Sequence, residues 1–200
     1  MPIVLLVRHG ENEYIREGRL AGRLPGVHLN ERGRAQSQTL AERMAGEPIK
    51  AVYSSPLERA LETAEPIAKA LGFEVSPCPS LIETDYGEWQ DRKLEELSRL
   101  NLWRSVQQTP SLVQFPGGES FVDCQERIRQ GIEGLCAQHD PKATIVCVSH
   151  ADPIKLAVAY FIGLPLDSFQ HLNVNPASIT ALHLDSAGNQ LLTLNSEAGS

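Results

Sequence analysis

The chain has 200 residues, 42% of them hydrophobic, and a formal net charge of -7, which fits one globular domain over 1–200 with a substantial core. The acidic balance argues against nucleic acid or an anionic membrane as partner, so an anionic ligand must be held by a local basic pocket. No apolar run approaches membrane-spanning length, and no basic stretch leads into an apolar one as in a signal peptide. The four cysteines, Cys78, Cys124, Cys136 and Cys147, form no C-x-x-C pair. They read as the scattered thiols of a cytoplasmic protein.

Residues 3–7, Ile-Val-Leu-Leu-Val, form a short apolar run that predicts a buried first strand. Arg8 and His9 follow it directly. A helix is expected over 30–44, with Asn30 as its N-cap and Leu40 and Met44 on one face. Residues 51–53 predict a second strand. Leu57, Ala60, Leu61, Ala64, Ala68 and Leu71 then recur at helical spacing. Pro66 within that stripe predicts a kink or a fresh start, and Gly72 a stop. Residues 73–75 predict a short strand.

Residues 84–119 have weak periodicity, with Trp89, Trp103 and Phe115 scattered among prolines and polar residues. They read as a lid-like excursion over the domain. A helix is expected over 120–138 and a third clear strand over 144–148. A further helix is expected over 153–161, with Pro153 in its first turn. Residues 179–184 and 191–194 flank Gly188-Asn189 as a closing hairpin. Alternating strands and helices predict an α/β three-layer sandwich: a mainly parallel sheet with an antiparallel edge.

Three strand ends share a property. The first runs into Arg8-His9. The second runs through Ser54-Ser55-Pro56 toward Arg59, in the first turn of the next helix, where the helix terminus favours an anion. The third runs into Ser149-His150. Each residue alone reads most simply as strand-end polarity or a solvated charge. Together they put two guanidiniums and two imidazoles at one edge of a parallel sheet, the edge where open α/β sheets bind ligands. Such a cluster suits a phosphoryl group undergoing in-line transfer. An unprotonated His can attack phosphorus, and the leaving alcohol then needs an acid. Glu83, where a fourth strand region would enter the excursion, is the best placed carboxyl, with Asp85 and Glu88 as competitors. Partial burial there would keep it protonated.

These residues together resemble the histidine phosphatase superfamily, which includes the cofactor-dependent phosphoglycerate mutases. The matching pieces are RHGE (8–11), SSPLERALETA (54–64), ETDYGEW (83–89), PGGES (116–120) and SHADPI (149–154), in the family's order. The resemblance implies His9 as the phosphorylated nucleophile and Glu83, rather than its neighbours, as proton donor. It implies Arg8, Arg59 and His150 as catalytic phosphate-pocket residues, with Asn12, Gly22 and Ala151 beside them in phosphate or substrate binding. It departs from the family pattern at two places: Asn12 and Ile15 stand where members commonly carry Thr and then Asn. Arg19 and Arg23 are candidates for a second anionic group, although each reads more simply as a solvated arginine.

The mutases usually carry an E-R-H-Y-G type sequence at the acid and a longer insertion after it. Here Glu83-Thr84-Asp85-Tyr86-Gly87 leads into a shorter excursion, which resembles the phosphatase branch. The expected activity is hydrolysis of a small phosphorylated metabolite through a phosphohistidine. Mutase-type phosphoryl transfer is the alternative, and a non-catalytic phosphate-binding regulatory protein a more distant one. Cysteine-based phosphatase chemistry is excluded by spacing, because Thr84, Gln130, Lys142 and Pro153, not Arg, stand six residues after the four cysteines. No P-loop, D-x-D or metal-ligand spacing is present, and no cofactor or metal is expected. His28, His139, His171 and His183 read as surface or packing residues. A homodimer is left open.

Overall fold

The computed structural model describes residues 2–197. Among them, six strands form a single sheet: β1 Ile3–Arg8, β2 Ile49–Ser54, β3 Val75–Pro77, β4 Thr144–Ser149, β5 Ser178–His183 and β6 Gln190–Glu197. The spatial order is β3-β2-β4-β1-β5-β6. β1, β2, β3 and β4 run parallel, while β5 and β6 close the far edge as an antiparallel hairpin. The helices are α1 Glu13–Arg16, α2 Glu31–Met44, α3 Glu58–Leu71, α4 Leu94–Leu97, α5 Asn101–Gln108, α6 Phe121–Cys136 and α7 Ala151–Ile162.

The near-continuous apolar runs of β1 and β4 follow from burial on both faces. Val4, Leu6, Ile145 and Cys147 pack with Ile128 and Ile132 of α6 and Ile154 and Val158 of α7. Their neighbours Val7, Val146 and Val148 point the other way, into Leu40 of α2 and Ala64 and Ile67 of α3. The period-two alternation of a strand thus divides one sequence run between two layers. A third cluster, around Trp89, Phe115, Phe121 and Phe169, packs residues of 84–119 against α6 and α7.

Several expectations shift by a few residues. The third short strand lies at Val75–Pro77 rather than 73–75. α3 runs unbroken through Pro66, so no second helix starts there. It also starts at Glu58, after Pro56, on an N-cap Leu57 that offers no side-chain bond. Gly72 closes it in the left-handed region at φ 76°, which glycine adopts without strain. Glu83 is not on a strand: it lies on extended chain between 3-10 turns at Pro79–Leu81 and Gly87–Trp89. Residues 84–119 are less irregular than their weak periodicity suggests, because α4 and α5 lie within them.

Candidate active site

β1 and β4 are hydrogen-bonded in register to their last residues, Arg8 beside Ser149. His9 N then donates to Ser149 O at 3.0 Å, and Ser55 N to Val148 O at 2.9 Å. Three strand ends are therefore level, and the residues just past them meet. The His9 and His150 rings lie edge to face with centroids 5.0 Å apart. Gly10 is required by close approach: a Cβ there would stand 2.7 Å from Gly33 O at the start of α2. Gly10 N also donates to Thr63 Oγ1 at 3.0 Å, and Thr63 donates to Arg59 O at 2.7 Å. The loop carrying His9 is thereby tied to the helix carrying Arg59.

The His9 ring is defined by its two nitrogens. Nδ1 lies 2.7 Å from Gly10 O, a contact that requires the proton on Nδ1 and leaves a lone pair on Nε2. Arg59 Nε donates toward that lone pair at 3.3 Å. Burial, then the charges of Arg59 and Arg8, hold the His9 pKa well below the ordinary imidazole value. His9 is therefore neutral at neutral pH, the state a nucleophile needs. His150 is held neutral in the same way, first by burial and next by Arg59. Its Nε2 sits 2.8 Å from Ser55 Oγ, and its Nδ1 approaches Glu83 Oε2 at 3.9 Å. With a neutral imidazole that approach is not an ion pair.

The two arginines hold charge without a bonded carboxylate. Arg8 Nη1 donates to Val174 O at 2.6 Å, and Arg59 Nη2 to Gly22 O at 2.6 Å. Arg59 is 1% exposed, and burial lowers the pKa of both guanidiniums. Among the described residues, Arg8 Nε, Arg59 Nη1 and His150 Nδ1 are buried with no hydrogen-bond partner. Buried cations and orphaned donors at one point are costly unless an anion joins them. A phosphate would supply both charge and acceptors.

Glu83 stands across from His9. Burial, and secondarily the charge of Asp152, push its carboxyl up to about 7. Thr84 N donates to Oε1 at 2.9 Å. Tyr86 gives its hydroxyl proton to Asp152 Oδ2 at 2.8 Å and lies 3.5 Å from Glu83 Oε1.

A clasp of side chains fixes this non-regular segment. Arg127 of α6 donates to Ser80 O and Ile82 O, each at 2.9 Å, and to Glu119 Oε1 at 2.7 Å. Glu119 Oε1 also accepts from Asp85 N at 3.0 Å and Arg23 Nη2 at 2.9 Å, while Arg23 Nε donates to Glu83 O at 2.8 Å. Gly87 and Gly118 let the chain past Glu83 lie against the 116–120 turn: a Cβ on Gly118 would stand 2.2 Å from Asp85 O.

Of the site residues expected from sequence, Arg8, His9, Asn12, Arg19, Gly22, Arg59, Glu83 and Ala151 line one cavity, and Arg23 and His150 do not. His150 is fully buried and is reached from the cavity through His9 and Glu83. Asn12 Oδ1 accepts from Ile15 N at 2.9 Å and caps α1, so only its amide NH₂ is available to a ligand. Arg23 is not a free surface charge but part of the clasp. Asp152, Glu119 and Arg127 carry roles that the sequence reading gave to no residue. Among the described residues no group of three or more His, Cys, Asp or Glu is placed to hold a metal ion.

The comparisons with known proteins agree with this geometry. The family model described as histidine phosphatase superfamily (branch 1) matches residues 4–197. The chain belongs to that superfamily. It is 34% identical over 194 residues to phosphoserine phosphatase 1 of Hydrogenobacter thermophilus, covering 96% of this chain and 91% of that protein. It is 30% identical over 185 residues to a 2,3-bisphosphoglycerate-dependent phosphoglycerate mutase of Thermoplasma acidophilum, covering 92% and 88%. The solved structure of a mycobacterial glucosyl-3-phosphoglycerate phosphatase superposes with a TM-score of 0.90 at 26% identity, covering 98% of this chain and all of that one.

Proposed function

We propose that the chain is a phosphomonoester hydrolase acting on a small phosphorylated metabolite through a phosphohistidine at His9. The observation that carries this reading is the pairing of a neutral imidazole, its Nε2 lone pair beside two carboxylate-free arginines, with a carboxyl raised to about 7 across the cavity. In the first step the His9 Nε2 lone pair forms a bond to phosphorus and the ester P–O bond breaks. Glu83 gives its proton to the departing oxygen. In the second step the Glu83 carboxylate takes a proton from water, the water oxygen bonds to phosphorus, and the P–N bond breaks. Arg8 and Arg59 neutralise charge on the transferring group throughout. His150 keeps the ring of His9 in place, and the N-terminal amide of Ala151 at the start of α7 adds a donor.

The same reading treats 1–200 as one domain, with 84–119 as a lid whose Trp89, Leu94, Trp103, Val106 and Phe115 form part of the cavity wall. The free thiols of Cys78, Cys124, Cys136 and Cys147 support a cytoplasmic setting. No helix among the described residues is long and apolar enough to cross a membrane.

Mutase chemistry is the second reading, favoured by the relative that bears that name. A mutase must hold a doubly phosphorylated intermediate. The further arginine on the cavity wall, Arg19, is already paired with Asp91. Phosphate release and 3-to-2-phosphoglycerate conversion assayed side by side separate the two. Release without efficient isomerisation is expected, and rapid isomerisation with little release would overturn the hydrolase assignment.

A further inference from the structure

We infer that the alcohol half of the substrate is apolar and uncharged, an assignment that rests on the hydrolase reading above. The cavity is about 340 Å³ and its two ends are chemically unlike. One end carries His9, Arg8, Arg59 and Glu83. Much of the rest of its wall is apolar and aromatic: Leu20, Trp89, Leu94, Trp103, Val106 and Phe115. The two indoles stack with centroids 6.2 Å apart at 20°. Phe115 meets Trp89 edge-on at 5.3 Å, so this wall is built from interlocked rings.

A charged leaving group would need a counter-charge on that wall. Beyond Arg8 and Arg59, which face the phosphoryl position, Arg19 is the other cation among the described lining residues. Its guanidinium bonds the carboxylate and carbonyl oxygen of Asp91, contacts Glu17, and lies 4.7 Å over the Tyr14 ring. Its charge is thus already offset by Asp91 and Glu17 before any substrate carboxylate arrives. Asp152, the carboxylate that could meet a substrate ammonium, already holds the Tyr86 hydroxyl and Lys155 Nζ at 2.9 Å. Gln107 and Gln170 add only neutral polarity. Ile15, at the position where the family pattern has a polar residue, also lines the cavity and extends its apolar character toward the phosphate. Moving a carboxylate or ammonium onto this wall would strip its water and leave it unpaired. A hydrocarbon chain or ring would gain by burial.

Alkyl phosphates from ethyl to hexyl test this directly, because the basicity of the leaving alkoxide hardly changes along the series while the apolar area grows. The expected result is a rise in kcat/KM of about threefold per methylene until the cavity is filled. Phosphoserine and 3-phosphoglycerate should fall roughly tenfold or more below butyl phosphate. A flat or falling series, or either charged ester exceeding butyl phosphate, overturns the assignment. Leu94 is 38% exposed, so Leu94→Glu charges the wall without opening the core. It should flatten the chain-length dependence, and an unaltered slope would count against the assignment. p-Nitrophenyl phosphate is run alongside. Its hydrolysis with a flat alkyl series removes only the apolar alcohol, whereas no phosphate release from any ester removes the hydrolase reading as well.

Discussion

The two halves of the catalytic cavity are held by different physics. His9, Arg8 and His150 stand at the ends of β1 and β4, two parallel strands buried on both faces and hydrogen-bonded in register. Their positions are set by the sheet. Glu83 stands on chain with no ladder and no helix, between two 3-10 turns. Its position is set by side chains, chiefly Arg127, Glu119 and Arg23. A nucleophile gains from a rigid mount. The proposed proton donor, Glu83, directly precedes the 84–119 stretch that supplies much of the apolar wall, and the clasp ties the two together.

The largest effect should come from the sheet side. His9→Ala removes the attacking nitrogen and should cost at least about 10³-fold in phosphate release from p-nitrophenyl phosphate. The variant, denatured under alkaline conditions in which a phosphohistidine survives, should also lack the phosphorylated species formed by the unaltered protein. Retained activity would break the mechanism at its root.

Glu83→Gln comes next and should discriminate between leaving groups. Loss on an alkyl phosphate should reach about 10²–10⁴-fold, with a far smaller loss on p-nitrophenyl phosphate, which departs without a proton. The pH profile gives the same contrast a sign. In the proposed first step, on which kcat/KM for alkyl phosphates depends, Glu83 acts as its protonated form, and its carboxyl is pushed up to about 7. The kcat/KM of the unaltered protein for alkyl phosphates should therefore fall as pH rises through that value. His9 is already neutral across this window, so it adds no limb there. Glu83→Gln should abolish the alkaline fall, and persistence of the fall in the variant would assign it to another group.

The clasp sharpens the comparison further. Arg127→Met keeps the stem but removes bonds to Ser80 O, Ile82 O and Glu119. We expect about 1–3 kcal/mol of lost stability by denaturant titration. Turnover should drop roughly tenfold for alkyl phosphates, as expected for a misplaced acid, and change little for p-nitrophenyl phosphate. Equal losses on both esters would mean that Arg127 serves only the fold. The smallest effect belongs to Arg99→Ala, which removes an exposed i,i+4 pair with Glu95. It should shift stability by no more than about 0.5 kcal/mol and leave turnover of both esters unaltered.

The difference between the two halves also governs what could be read from the residues in order. Apolar runs and the polar pairs that end them report a strand delivering a site, so Arg8, His9 and His150 were legible from local pattern, and Glu83 with the help of resemblance. Arg127 was overlooked although a signal existed. Cys124, Ile128 and Ile132 are buried on α6, and Arg127, three residues after Cys124, borders that stripe, where a half-buried charge requires partners. Glu119 sits inside the PGGES stretch, and nothing local in that stretch reports that its carboxylate binds Arg127 and Arg23. α5 escaped because its N-cap is Leu100, which makes no side-chain capping bond. α3 hid its true start behind Leu57 for the same reason. Pro66 shows tertiary packing overriding a local breaker: Ala64, Ile67 and Ala68 around it are buried and keep the helix continuous.

The strand order has a consequence for how the molecule comes to exist. β1 pairs on one side with Thr144–Ser149 and on the other with Ser178–His183, both far along the chain from it. Its neighbours thus follow it only after several intervening elements. A nascent chain must keep Ile3–Arg8 unpaired until Thr144–Ser149 has emerged, and contacts so distant in sequence slow folding and expose apolar strand edges meanwhile. A fragment ending before Thr144 would possess His9, Arg59 and Glu83 and still lack the strand that brings them into register. The four strand-end groups can therefore meet only once β4 has taken its place between β1 and β2.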